Sequence, residues 1–132
     1  MPVITVNLKQ INSTTTQSTI RGHEVVIDRP LAKEGRDAGP MGGELLLAAL
    51  GGCFTSNLLA AIRARDLPID DVVIEINGTL VDHPQRYESI EMIVRSSHAD
   101  QDEFEKLVTI AERSCIVANS LRNGLNLTVR VG

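Results

Sequence analysis

The sequence predicts an α+β fold with a largely antiparallel sheet, and three observations carry that prediction. Strand-like segments come as a run of three, then a pair, then one, and do not alternate singly with helices. Between Glu44 and Arg63 the chain carries no charge, which reads as a long buried central helix. A second amphipathic stretch, residues 100–121, supplies the other helix. A length of 132 residues is one domain's worth, so residues 1–132 are taken as a single domain.

Residues 3–9 (VITVNLK) and 14–20 (TTTQSTI) are β-branched and roughly alternating, with Asn12 and Ser13 as the turn between them. Arg21-Gly22 marks a second turn and residues 23–28 (HEVVID) a third strand, so an N-terminal antiparallel meander is expected. Residues 29–43 hold two prolines and four glycines and are expected to form a mobile loop. The central helix should start at Gly42 or Gly43, with Glu44 in its first turn, where a carboxylate complements the helix dipole. It should end before Pro68 and be buried on most faces. Its apolar surface exceeds what one sheet can cover, so a dimer is expected.

Residues 71–81 and 87–96 read as two further strands joined by Asp82-His83-Pro84-Gln85. Asp100 is the expected N-cap of the second helix, which aligns Phe104, Leu107, Val108, Ala111, Cys115 and Ala118 on one apolar face. Asn123-Gly124 should close it, and residues 125–131 (LNLTVRV) should form a last strand.

Composition excludes several functions. A formal net charge of −4 and a single Tyr, two Phe and no Trp argue against nucleic acid and anionic membrane surfaces as partners. The uncharged run 45–62 just reaches the length of a membrane span, but Gly51, Gly52, Thr55, Ser56 and Asn57 interrupt it, so no membrane partner is expected. The N-terminus has no basic segment followed by an apolar run, so the expected location is cytoplasmic. Two widely separated cysteines offer neither zinc spacing nor a disulfide framework, and no phosphate loop is present. No metal or cofactor is expected.

Candidate chemistry rests on Cys53 and Cys115, each on the inward face of its helix. They read either as small hydrophobes packed in a core or as a pair that is oxidised and reduced where two helices cross. Such a pair needs Cα atoms within roughly 7 Å. Gly51-Gly52 before Cys53 costs roughly 2 kcal/mol of helix propensity, which implies close packing or access to the sulfur. A reactive thiol must ionise near neutral pH, and an arginine is the natural activator. Arg21, Arg29 and Arg36 all precede the helix, and Arg21, at a strand-end turn, is the candidate. Glu44 could orient it, although nine residues place Glu44 about half a turn out of phase with Cys53. Glu44 would then act across a dimer interface or after a bend, or else serve as a first-turn dipole partner. His23, His83 and His98 are scattered and read as surface or structural.

The segment GPMGGELLLAALGGCF, followed by ERSCIVANSL, resembles the OsmC/Ohr family of thiol-dependent hydroperoxide reductases, and the upstream GHEVVIDRP suits its OsmC-like branch. The Ohr-type pattern puts its glutamate ten residues before the cysteine, where this chain has Gly43, with Glu44 at nine. The residue after the second cysteine is Ile116, where the family usually has proline, so helix geometry around Cys115 is expected to differ. The resemblance implies an intertwined homodimer with shared active sites, in which Cys53 attacks an organic hydroperoxide and Cys115 resolves it as an intramolecular disulfide. It also implies an external dithiol or a lipoylated protein as reductant.

Overall fold

β-Branched alternation and two tight turns build the first part of the computed structural model, which describes residues 1–132 and divides into two compact units, Met1–Leu46 and Leu47–Gly132. In the first unit β1 (Asn7–Gln10), β2 (Thr16–Ile20) and β3 (His23–Ile27) form an antiparallel sheet in that order. Asn12 makes the first turn by accepting the Thr14 and Thr15 amides at 3.0 and 2.9 Å. Ile20 pairs with His23, so Arg21 and Gly22 alone make the second turn, both at positive φ (48° and 83°). Strand β1 begins later than its predicted start at residue 3. Asn7 is already opposite Thr19, and β2 turns away after Ile20, so residues before Val6 have no strand of this chain beside them.

Only Thr15, Ser18 and Asp28 are buried in this unit, and none is apolar. What organises it is the Asp28 carboxylate. It accepts the Thr15 hydroxyl (2.9 Å) and the amides of Arg29 (2.7 Å), Arg36 (3.3 Å) and Ala38 (3.3 Å), while the Asp28 amide donates to the Pro40 carbonyl (3.1 Å). Burial pushes this carboxyl up, but those donors outweigh it and set its pKa at about 2. The glycine-rich segment expected to be a mobile loop is thus tied down, with a 3₁₀ turn at Leu31–Lys33.

Helix α1 spans Gly42–Ala64. At its start Glu44 accepts the Met41 amide at 2.8 Å, the return half of a capping box. At its end Asp66 (φ 52°) takes the left-handed position of a Schellman motif. Its amide donates to the Arg63 carbonyl at 3.0 Å and the Leu67 amide to the Ile62 carbonyl at 3.2 Å, just before Pro68.

In the second unit β4 (Val73–Val81) and β5 (Arg86–Arg95) pair antiparallel, and the α1 residues Leu50, Phe54, Leu58, Ala61 and Ile62 join Phe104, Leu107 and Ala111 in one core. Ile74, Ile90, Met92 and Val94 pack against it from the sheet. α1 is long and apolar enough to cross a membrane, yet its buried residues are one stripe of the core. It is therefore not buried on most faces as expected: Leu46 and Leu59 are 38% and 37% exposed.

Helix α2 (Gln101–Arg113) starts on Asp100, whose side chain accepts the Glu103 amide at 3.0 Å, and His98 pairs with Glu103 at 2.9 Å. The single helix expected to run to residue 121 is instead two. Cys115 is extended (ψ 113°) and caps α3 (Ile116–Asn123), its sulfur accepting the Ala118 amide at 3.5 Å. Asn119 reaches back to the Arg113 carbonyl at 3.1 Å, so both sides of the break are capped by side chains. Gly124 (φ 67°) follows α3. Residues 125–131 form no strand: β4 and β5 pair only with each other, and Leu125, Leu127, Val129 and Val131 are exposed.

Candidate active site

Two features of the second unit bring the cysteines together. Cys53 lies beside the buried stripe of α1 and is half-buried, packed against the core. The break between α2 and α3 places Cys115, fully buried, at the N-cap of α3. Gly51 is buried, and a Cβ there would lie 2.5 Å from Ile76 Cδ1, so its absence lets α1 approach β4. Gly52 faces open space, with nothing within 4 Å of where its Cβ would stand.

The Val117 main chain, the Cys115 thiol and the Ile116 main chain beside Cys53 hold its pKa below the usual thiol range, Val117 contributing most. Burial works in the opposite direction and loses. Cys115 moves the other way: burial pushes its thiol up, and the neighbouring Cys53 thiolate raises it further, against the Ala118 amide. Cys53 is therefore the more readily ionised of the two thiols, and Cys115 the one that keeps its proton longer. A partly accessible sulfur that ionises more readily, beside a buried one that ionises less readily, is the arrangement needed for nucleophilic attack followed by disulfide closure.

The other predicted residues lie in the first unit. Glu44 is exposed, and its carboxylate accepts the Met41 amide. Arg21 is exposed at the β2–β3 turn. Arg36 donates to the side chains of Asn12, Ser13 (3.2 Å) and Thr14 (3.0 Å). The groups beside Cys53 that sequence reasoning missed are main-chain ones, which leave no residue-type signal. Asn119, able to cap the end of α2, was the one hint of a break there. No group of three or more His, Cys, Asp or Glu side chains is gathered to hold a metal ion.

A half-buried cysteine whose pKa is lowered and a buried one whose pKa is raised, at a helix junction of an α+β fold, define a candidate two-cysteine redox site. The sequence model of the OsmC-like protein family matches residues 35–130, and the chain belongs to that family. No curated protein matches it. Among solved structures it is similar to a hypothetical protein from Aquifex aeolicus VF5 at 22% identity and TM-score 0.79, over 96% of this chain and 92% of the other. It is similar to an OsmC-like protein of unknown function from Vibrio cholerae at 14% identity and TM-score 0.75, over 91% and 94%. It also resembles the organic hydroperoxide resistance protein OhrB of Bacillus subtilis at 20% identity and TM-score 0.65, over 91% and 90%. At these identities the likeness establishes the fold.

Proposed function

We propose that this protein is a thiol peroxidase that reduces organic hydroperoxides in defence against oxidative stress, with its 132 residues acting as one functional domain. The observation that carries the reading is that Cys53 and Cys115 meet in one core with their pKa values displaced in opposite directions, Cys53 down and Cys115 up. Membership of the OsmC-like family supports it, as does the fold shared with an organic hydroperoxide resistance protein.

In the first step the Cys53 thiolate attacks the outer peroxide oxygen. The O–O bond breaks, the alkoxide leaves and takes a proton as the alcohol, and Cys53 becomes a sulfenic acid. That product is neutral, so the charge that raised the Cys115 pKa is gone, and Cys115 ionises more readily once it is needed. Its sulfur then displaces the hydroxyl of the sulfenic acid as water and closes the disulfide. An external dithiol, either small or a lipoylated protein, takes up the disulfide and restores both thiols. A reducing compartment such as the cytoplasm suits two free thiols.

The working form is a homodimer with shared sites. The first unit buries no apolar residue, α1 keeps Leu46 and Leu59 exposed, and Val3, Ile4, Leu127 and Val129 are 83–93% exposed. A second copy would cover such surface. Glu44 and Arg21 would join the site in that assembly. The test is thiol titration after cumene hydroperoxide in wild type, Cys53→Ser and Cys115→Ser. The reading predicts rapid loss of two thiols, abolished in Cys53→Ser. Loss no faster than that of free cysteine would overturn it.

A further inference from the structure

A disulfide is reduced by a thiolate that attacks one of its two sulfurs, and access decides which one is within reach. The two cysteines differ sharply in access. Cys115 is 0% exposed and lies in one core with Phe54, Leu58, Phe104, Leu107, Ala111 and Ala118. It is also held from both sides. Its sulfur caps α3 by accepting the Ala118 amide at 3.5 Å, and Asn119 ties α3 back to the Arg113 carbonyl at 3.1 Å. Cys53 packs against that core without being part of it and keeps some of its surface open. Gly52, the residue before it, meets nothing within 4 Å of where its Cβ would stand, so this chain does not crowd that side of α1.

We propose that the external reductant attacks the disulfide at the Cys53 sulfur, with the buried Cys115 sulfur as the leaving group. This route rests on the peroxidase reading for its place in a cycle, but its test does not. A thiolate of the dithiol bonds to the Cys53 sulfur, the S–S bond breaks, and Cys115 keeps the electron pair. The Ala118 amide already points at the Cys115 sulfur, so the leaving thiolate meets a donor at once. It then takes up the proton that the reductant's thiol gave to solvent. The second thiolate of the reductant attacks the reductant's own bridging sulfur and frees Cys53. The dithiol departs as a disulfide, having passed two electrons to the protein. Leaving-group chemistry alone points the other way. The thiol of lower pKa leaves faster, and with Cys53 held down and Cys115 pushed up that rule directs attack to Cys115. Burial overrides it, because a sulfur with no exposed surface waits for the core around it to open, whereas Cys53 is partly open in the folded state.

The experiment forms the disulfide in the wild-type protein with diamide and cleaves it with sulfite. Sulfite leaves an S-sulfonate on the sulfur it attacks and a thiol on the other, and peptide mass spectrometry after acid quench and alkylation assigns both. The folded protein should carry the S-sulfonate on Cys53 in at least about tenfold excess over Cys115, the ratio that a local opening of only about 1.4 kcal/mol would set. In urea, where both sulfurs are exposed, the excess should vanish. S-sulfonate mainly on Cys115 in the folded protein, or one distribution with and without urea, would overturn the proposal. If diamide forms no Cys53–Cys115 disulfide, the proposal and the peroxidase reading fall together. A wild type that shows the folded-state excess yet consumes no cumene hydroperoxide would sink the peroxidase reading alone.

Discussion

Replacing Gly52 by alanine should stabilise the protein, an unusual expectation for a residue beside a reactive cysteine. Gly52 lies inside α1, where glycine costs about 1 kcal/mol relative to alanine because of the backbone freedom it loses. A Cβ at Gly52 meets nothing within 4 Å, so no steric term opposes that gain. Gly51 is the internal control. Its Cβ would fall 2.5 Å from Ile76 Cδ1, so the isoleucine must swing away, and overpacking of about 1 kcal/mol or more cancels the propensity gain. Urea unfolding followed by circular dichroism separates the two. Gly52→Ala should be more stable by about 1 kcal/mol, with a midpoint higher by about 4 °C on heating. Gly51→Ala should be unchanged or weaker. Destabilisation by Gly52→Ala would refute the expectation of open space at Gly52, and would place the second copy that covers Leu59, seven residues along the same face of α1, against Gly52 as well.

Two further outcomes follow from the core and from the first unit. Leu58 is 0% exposed at the centre of the second unit's core, so Leu58→Ala should cost about 3 kcal/mol in the same unfolding assay. The Asp28 carboxyl has a folded pKa of about 2 against an ordinary 3.8, so the stability it gives is present above about 4 and lost as pH falls through about 2. Asp28→Asn should remove that dependence and speed amide hydrogen exchange at Arg36 and Ala38, while Cys53 alkylation in the folded protein serves as an unrelated reference.

Much of the fold was legible because local chemistry agreed with it. Arg21-Gly22 turned as a two-residue hairpin should, Asp100 capped α2, and the uncharged run became α1. The break at Ser114-Cys115 was not legible. No proline or glycine marks it, and Ala111, Cys115 and Ala118 keep a helical stripe across it. Capping won over periodicity there, through a sulfur that no propensity scale counts as a cap. Residues 125–131 carry the alternation of a strand, but a strand needs a ladder partner, and pattern alone cannot supply one. At the candidate site the two cysteines could be found from residue type and spacing. What lowers the Cys53 pKa could not, because main-chain groups beside a sulfur leave no residue-type signal. Asp28 read as the end of a strand, and its role in holding residues 29–38 exists only once that segment folds around it.

The central claim is that Cys53 and Cys115 are one redox unit. It is tested most directly by treating the reduced protein with one equivalent of cumene hydroperoxide and mapping its peptides by mass spectrometry. The account predicts an intramolecular Cys53–Cys115 disulfide as the main product, with Cys53 trapped as the sulfenic acid in Cys115→Ser. Oxidation that stops at Cys53 in the wild type, or bridges Cys53 to another chain while Cys115 stays reduced, would contradict it.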